Sequence, residues 1–209
     1  MRTLGWQMRH PWVFMGMSIP KIVAFAGSTR TASYNKQLVR FAAEAARAAG
    51  AEVTLLDLRD YSMPLYDGDL EEQQGLPENA KKLKAILREH DAFLIASPDY
   101  NSSITPVLKN TLDWVSRSAS DDEPALVAFR GKTAALLSAS PGALGGLRGL
   151  VHLRAILGNI GVIVLPDQVA VPKAYEVFDA TGGLKDERAA GQVTRVAQGL
   201  VDFLRKHLG

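Results

Sequence analysis

The sequence predicts an α/β protein: a three-layer sandwich with a five-stranded parallel sheet in the order 2-1-3-4-5 and helices on both faces. Three observations carry this expectation. Short apolar runs alternate with longer segments of helical period along most of the chain, the pattern of a parallel sheet with right-handed crossovers. The clearest runs, residues 22–26 and 92–96, lack polar alternation, as strands buried on both faces do. The segments that follow strands one, three and four are rich in small and polar residues, and this topology sets those strand tips side by side at the switch point of the sheet.

Residues 22–26 form the first strand. Residues 35–49 read as a helix, with Leu38, Val39, Phe41, Ala42, Ala45 and Ala46 on one side and Gly50 as its stop. The second strand is expected at 52–58, and a loop with an acidic cluster at 59–76. A helix at 77–89 has proline in its first turn. The third strand is 92–96, its loop 97–103, and the next helix 106–118. Residues 121–130 read as a connection, 133–137 as the fourth strand and 138–146 as a glycine-rich loop. A helix at 147–157 is closed by Gly158. The fifth strand is 162–165, followed by a long, loosely structured connection at 166–185. The final helix, 186–207, is weakened by Gly191 and Gly199. The order fits the flavodoxin-like arrangement, with one domain over residues 20–209.

Composition narrows the function. The 209 residues are 47% hydrophobic and 22% charged, ordinary globular values, and the net charge of +2 with no basic stripe gives no argument for nucleic acid. Cysteine is absent, which removes disulfides, thiolate nucleophiles and cysteine zinc sites. His10, His90, His152 and His207 show no metal-ligand spacing. No apolar run reaches the roughly 18–20 residues of a membrane span, and the first 19 residues lack the apolar core and cleavage site of a secretory signal. A soluble cytoplasmic protein is expected. Residues 1–19, with Trp6, Trp12 and Phe14, read as a flexible extension, an upstream start before Met15 and Met17, or an arm that packs on a partner subunit.

Three loops carry the chemistry. The first runs from Gly27 to Asn35, and joins a strand to a helix. Free N–H groups and the helix dipole make such a junction an anion site. Ser28, Arg30, Ser33 and Asn35 suit a phosphate, with Arg30 the only cation of the cradle; the alternative is that Ser33 or Asn35 simply caps the helix. The sequence is neither a P-loop nor a dinucleotide GxGxxG. In the second loop, Pro98, Asp99, Tyr100 and Asn101 combine an aromatic and an amide at a strand tip, able to frame a flat heteroaromatic ring; an ordinary turn explains Pro98 and Asn101 but not Tyr100. The third loop offers Ser138 and Ser140, with Gly145 and Gly146 among three glycines that let backbone approach a ligand edge; a flexible surface loop is the competing reading. Gly-x-Ser-x-Gly is absent, so a serine hydrolase is not indicated.

Together these motifs resemble the NADPH-dependent FMN reductase family of flavodoxin-like quinone, chromate and azo reductases. The resemblance rests on Gly27, Ser28, Arg30, Ser33 and Asn35; on Pro98, Tyr100, Asn101, Ser103, Leu108, Lys109, Asn110, Asp113 and Trp114; and on Ser140, Gly145, Gly146 and Arg148. It covers about residues 20–207. Asp99 departs from the family's usual glutamate. The resemblance implies bound FMN, its phosphate held by Ser28, Arg30, Ser33 and Asn35. The ring would be bordered by Pro98, Asp99, Tyr100 and Asn101, its other edge closed by Ser140, Gly145 and Gly146. It also implies NADPH as co-substrate, with NADH possible. Hydride transfer would be ping-pong, to a quinone, free flavin, azo compound or metal oxyanion, and no side chain would act as general base. A homodimer or homotetramer is implied, with residues 63–67 near the interface. Arg117, Arg148 and Lys109 are candidates for the extra phosphate of NADPH or are ordinary surface charges. A competing class is a flavodoxin-type electron carrier without nicotinamide activity, against which stand Arg30 and the positive net charge. A third is an assembly or sensory partner that has lost FMN.

Overall fold

The computed structural model describes residues 18–208. Five parallel strands, β1 (Lys21–Ala26), β2 (Glu52–Asp57), β3 (Ala92–Ala96), β4 (Thr133–Ala139) and β5 (Ile163–Val171), form a sheet in the order β2-β1-β3-β4-β5. Seven helices accompany them: α1 (Tyr34–Ala48), α2 (Gly68–Gln74), α3 (Glu78–Arg88), α4 (Pro106–Ser116), α5 (Leu147–Asn159), α6 (Ala174–Val177) and α7 (Glu187–Leu208). The expected flavodoxin-like order is the order found. Of the expected N-terminal extension, residues 1–17 lie outside the described residues.

The strand period of two divides the core. Ile22, Ala24 and Ala26 of β1 and Ala92, Leu94 and Ala96 of β3 face one way, onto α1 and α7. Val23 and Phe25, with Phe93 and Ile95, face the other way, onto α3, α4 and α5. Alanines dominate the first face, Ala42, Ala43 and Ala46 of α1 included. Small side chains let α1 lie close on the sheet, where its first turn meets the tip of β4 through Asn35 and Ala139.

Four expectations about elements are corrected. Residues 166–171 are strand, not loose connection: β5 continues past Pro166 through a bulge. There Thr133 pairs with Ile163 and Ala134 with Val164, but Leu136 pairs with Gln168. Proline lacks the N–H that a regular ladder uses, and an edge-strand bulge is where that loss is tolerated. The same connection also holds α6. The acidic loop 59–76 contains a 3-10 turn, Leu58–Tyr61, and α2, which is N-capped by Asp67 through the Asp69 N–H at 2.9 Å. Gly158 does not close α5; the helix reaches Asn159, and Gly161, at φ +84°, supplies the left-handed residue after it.

Candidate active site

The tips of β1, β3 and β4 are stitched into one surface by hydrogen bonds between residues far apart in sequence. The Gly27 N–H donates to the Ala96 carbonyl at 2.9 Å and the Ser97 N–H to the Leu137 carbonyl at 2.8 Å. Thr105, the N-cap of α4, donates its hydroxyl to the Gly27 carbonyl at 2.7 Å. A Cβ on Gly27 would lie 2.9 Å from the Leu108 side chain, so glycine is what allows the first loop to rest on α4.

Ser33 is buried and caps α1, accepting from the Lys36 N–H at 3.4 Å. The cap reading and the cradle reading are therefore compatible: Ser33 ends the helix, and the loop before it keeps its donors. The Ser28 hydroxyl accepts the Arg30 N–H at 3.3 Å. Among the described residues, the N–H groups of Ser28, Thr29, Thr31, Ala32 and Ser33 donate to no protein acceptor. The exposed Arg30 guanidinium makes no ion pair with any of them. Asn35 has a different setting. It is buried, its carboxamide donates to the Ala139 carbonyl at 2.8 Å, and its oxygen accepts the Ala139 N–H at 3.0 Å. It ties the first turn of α1 to the tip of β4, bracing the first loop against the third.

The sequence reading counts Arg30 as the cradle's only cation, and the structure adds another. Arg59, in the 3-10 turn after β2, sends Nε to the Thr29 carbonyl at 3.0 Å and Nη2 to the Thr31 hydroxyl at 3.0 Å; Nη2 also meets the Thr29 carbonyl. Asp57 supports this turn, accepting the Arg59 N–H at 3.0 Å and the Lys36 ammonium at 2.6 Å. Burial alone would raise the Asp57 carboxyl, but the Lys36 and Arg59 contacts outweigh it and hold the group below its ordinary range. Nothing near Arg59 in the sequence marks it, because its partners lie at the tip of another strand.

In the second loop, Tyr100 and Ser103 exchange backbone hydrogen bonds at 2.9 and 3.1 Å around Asn101 and Ser102, both at positive φ (52° and 67°). Asparagine tolerates that region better than most residues, so the turn reading explains Asn101. It leaves Tyr100 half exposed at 48% beside the buried Pro98. Asp99 is the hinge pin of the site. One carboxylate oxygen accepts the Ser102 N–H at 2.8 Å and the other the Gly149 N–H at 3.1 Å. Gly149 is in the first turn of α5, whose own N-cap is Gly146 and has no side chain to give. Asp99 therefore caps α5 from another loop, and the Glu-to-Asp departure concerns a side chain in direct contact.

In the third loop, the Ser140 hydroxyl accepts the Gly142 N–H at 3.2 Å, while the Ser140 N–H donates to the Val171 carbonyl at 3.1 Å. Gly145 and Gly146 are at φ +62° and +89°. A Cβ on Gly145 would lie 2.6 Å from the β5 backbone at Val171, and one on Gly146 only 1.9 Å from the Ser138 hydroxyl oxygen. That hydroxyl is fully buried and has no hydrogen-bond partner among the described residues. Asp99, Ser140, Gly142, Ala143, Leu144, Gly145, Gly146 and Arg148 enclose a cleft of about 330 Å³, within the size range of small-molecule sites. Of the three candidate cations, Lys109 pairs with Asp113 at 2.7 Å and Arg117 lies 5.7 Å over the Tyr66 ring. Arg148 alone of them lines this cleft, held by the Ser102 hydroxyl at 2.9 Å. Two other grooves, of about 290 and 410 Å³, run between β5 and α7, lined by side chains of mixed charge rather than by strand-tip loops.

The sequence profile of NADPH-dependent FMN reductase matches residues 20–176. An NAD(P)H-dependent FMN reductase of Pseudomonas aeruginosa is 34% identical over 190 residues, which is 90% of this chain and 97% of that protein. A quinone reductase of Escherichia coli K12 is 29% identical over 188 residues, 89% of this chain and 96% of that one. Among solved structures, FerB, a flavoenzyme NAD(P)H:(acceptor) oxidoreductase from Paracoccus denitrificans, is similar with a TM-score of 0.75 at 26% identity, over 90% of this chain and 99% of its own.

Proposed function

This chain belongs to the NADPH-dependent FMN reductase family, and from that membership we propose that it passes electrons from NADPH to a small-molecule acceptor through FMN held at the three strand tips. The observation that carries this reading is that, among the described residues, the N–H groups of Ser28, Thr29, Thr31, Ala32 and Ser33 donate to no protein acceptor and the Arg30 side chain makes no ion pair, at a strand-to-helix junction. These groups fit a phosphate. FMN held there would supply the redox chemistry, as acceptor of hydride from NAD(P)H and donor of electrons to the acceptor. The protein's part is position and electrostatics. The first loop anchors the phosphate. The turn at Tyr100 and the backbone at Gly145 and Gly146 frame the ring, with the N–H groups of Asp99, Asn101 and Gly146 unspent on protein acceptors among the described residues. No side chain at the cleft is needed as a general base.

The reductase domain spans residues 20–209, it works in the cytoplasm, and subunits associate as a homodimer or homotetramer. No helix among the described residues is long and apolar enough to cross a membrane. A quinone, free flavin, azo compound or metal oxyanion serves as acceptor, alternating with NADPH in a ping-pong scheme. Arg148, placed at the cleft without a carboxylate partner among the described residues, is the group suited to the extra phosphate of NADPH over NADH.

The deciding experiment is an absorbance spectrum of the purified protein, then anaerobic addition of NADPH, then a panel of acceptors. A flavin spectrum that bleaches with NADPH and recovers with an acceptor is expected. A colourless protein that FMN cannot reconstitute overturns the reading. A flavin that NADPH leaves oxidised points instead to an electron carrier.

A further inference from the structure

The 3-10 turn after β2 reaches back to the first loop through a single side chain. Arg59 spans Thr29 and Thr31 with a planar fork: Nε and Nη2 converge on the Thr29 carbonyl, and Nη2 adds the Thr31 hydroxyl. The peptide that joins Thr29 to Arg30 is rigid and trans, so its carbonyl and its N–H point in opposite directions. Anchoring the carbonyl on Arg59 fixes the whole plane. The Arg30 N–H is then turned the other way, onto the Ser28 hydroxyl at 3.3 Å, and the direction in which Arg30 leaves the backbone is set.

The anchor is itself held. Asp57 accepts the Arg59 N–H at 3.0 Å and pairs with Lys36 at 2.6 Å. Lys36 belongs to the first turn of α1, where its own N–H is taken by the Ser33 cap. The loop 28–33 is thus closed into a ring of contacts running Ser33, Lys36, Asp57, Arg59, Thr29. Among the described residues, the N–H groups of Ser28, Thr29, Thr31, Ala32 and Ser33 in this loop donate to no protein acceptor.

We propose that Arg59 is a positioning residue which, by pinning Thr29 and Thr31, holds the first loop in the shape that selects a phosphate-bearing flavin over the same flavin without phosphate. This rests on the reading of residues 28–33 as the phosphate cradle. Arg59 acts through the backbone of the loop, not through its charge. A lysine at this position lacks the planar fork and cannot replace it.

The test compares FMN with riboflavin, which differ only in the phosphate. Each is titrated into full-length protein freed of flavin, and binding is followed by quenching of flavin fluorescence. Wild type is expected to favour FMN strongly. Arg59→Ala should lose FMN affinity by about tenfold or more, the scale of charge-assisted hydrogen bonds. Its riboflavin affinity should stay within about twofold on the same scale, which also reports that the variant is folded. Arg59→Lys should recover little of the loss. A wild type that prefers FMN together with an Arg59→Ala variant of undiminished preference overturns this inference alone. So does full rescue by lysine, which would assign the effect to charge. A wild type that binds both flavins equally, or neither, overturns the cradle reading and this inference with it.

Discussion

Arg30 and Arg59 illustrate two ways in which one residue type serves an anion site. Arg30 is exposed and carries its charge to the mouth of the loop, whereas Arg59 spends donors on Thr29 and Thr31. Arg30→Ala is expected to weaken FMN retention by about 2 kcal/mol, the worth of charge-assisted hydrogen bonds to a phosphate, read as a rise in dissociation constant of roughly thirtyfold. Full occupancy and unchanged affinity in the variant would refute its assignment. The sequence made Arg30 legible because it stands within the motif, two residues from Ser28. Arg59 was not legible, since contacts spanning 28 and 30 residues leave no local pattern. Asn35 shows a further limit. Its position in the motif was plain, but its engagement with Ala139, 104 residues away, depends on how β4 lies beside α1.

At the scale of elements, the junction of β4 and α5 is the tightest point of the site. Ala at position 146 would need a left-handed backbone, about 1–2 kcal/mol, and would drive a methyl to 1.9 Å from the Ser138 hydroxyl oxygen. Gly146→Ala should therefore cost about 3 kcal/mol in urea unfolding. Ser138→Ala added to it should return part of that loss, because the contact with the hydroxyl oxygen goes while the 3.0 Å approach to the Ser138 Cβ and the dihedral cost stay. Strict additivity of the two changes would show that the contact does not matter. Lys84 and Glu123 pair at 2.5 Å with side chains only 5% and 10% exposed, and Lys84 also meets the Arg117 carbonyl. Burial would raise the Glu123 carboxyl, but Lys84, the Ala119 N–H and Arg88 prevail and hold it below its ordinary range. The unfolded chain then takes up the proton at higher pH than the folded one. The resulting stability is complete above the unfolded glutamate value of about 4.3 and is lost as pH falls below it, through the folded value. Glu123→Gln should cost about 3 kcal/mol at neutral pH and flatten the acid limb of the stability profile; an unchanged limb would remove Glu123 as its source. Element reading succeeded where an apolar run had clear ends, as in β3, Ala92–Ala96, and where Gly50 stopped α1. It failed at β5, because Pro166 looks like a terminator in sequence and its bulge exists only in the paired sheet. It failed at α2, although Asp67 followed by Asp69 and Glu71 is a recognisable cap and acidic first turn.

Across the whole molecule, several large apolar side chains stand exposed near the cleft. Tyr100, Leu144, Leu147 and Val151 are all exposed, and contacts from Arg148 and His152 to Ser102 and Ser103 place this face of α5 beside the Tyr100 turn. Exposed apolar surface next to a site is where a second subunit would dock. Leu147→Asp is accordingly expected to lower the solution mass measured by light scattering from that of a dimer or tetramer, with the spectrum of any bound flavin as a control on folding. A mass unaffected by the change, or a wild type that is already monomeric, would place no subunit contact there. The proposed cradle itself has another property. Its free main-chain donors, at Ser28, Thr29, Thr31, Ala32 and Ser33, are peptide groups, and a codon change can alter a side chain but cannot delete an amide, short of introducing proline. Exposed positions such as Thr29 and Ala32 are therefore free to drift through evolution or to be redesigned for solubility or labelling, so long as the few residues that shape the main-chain path stay in place.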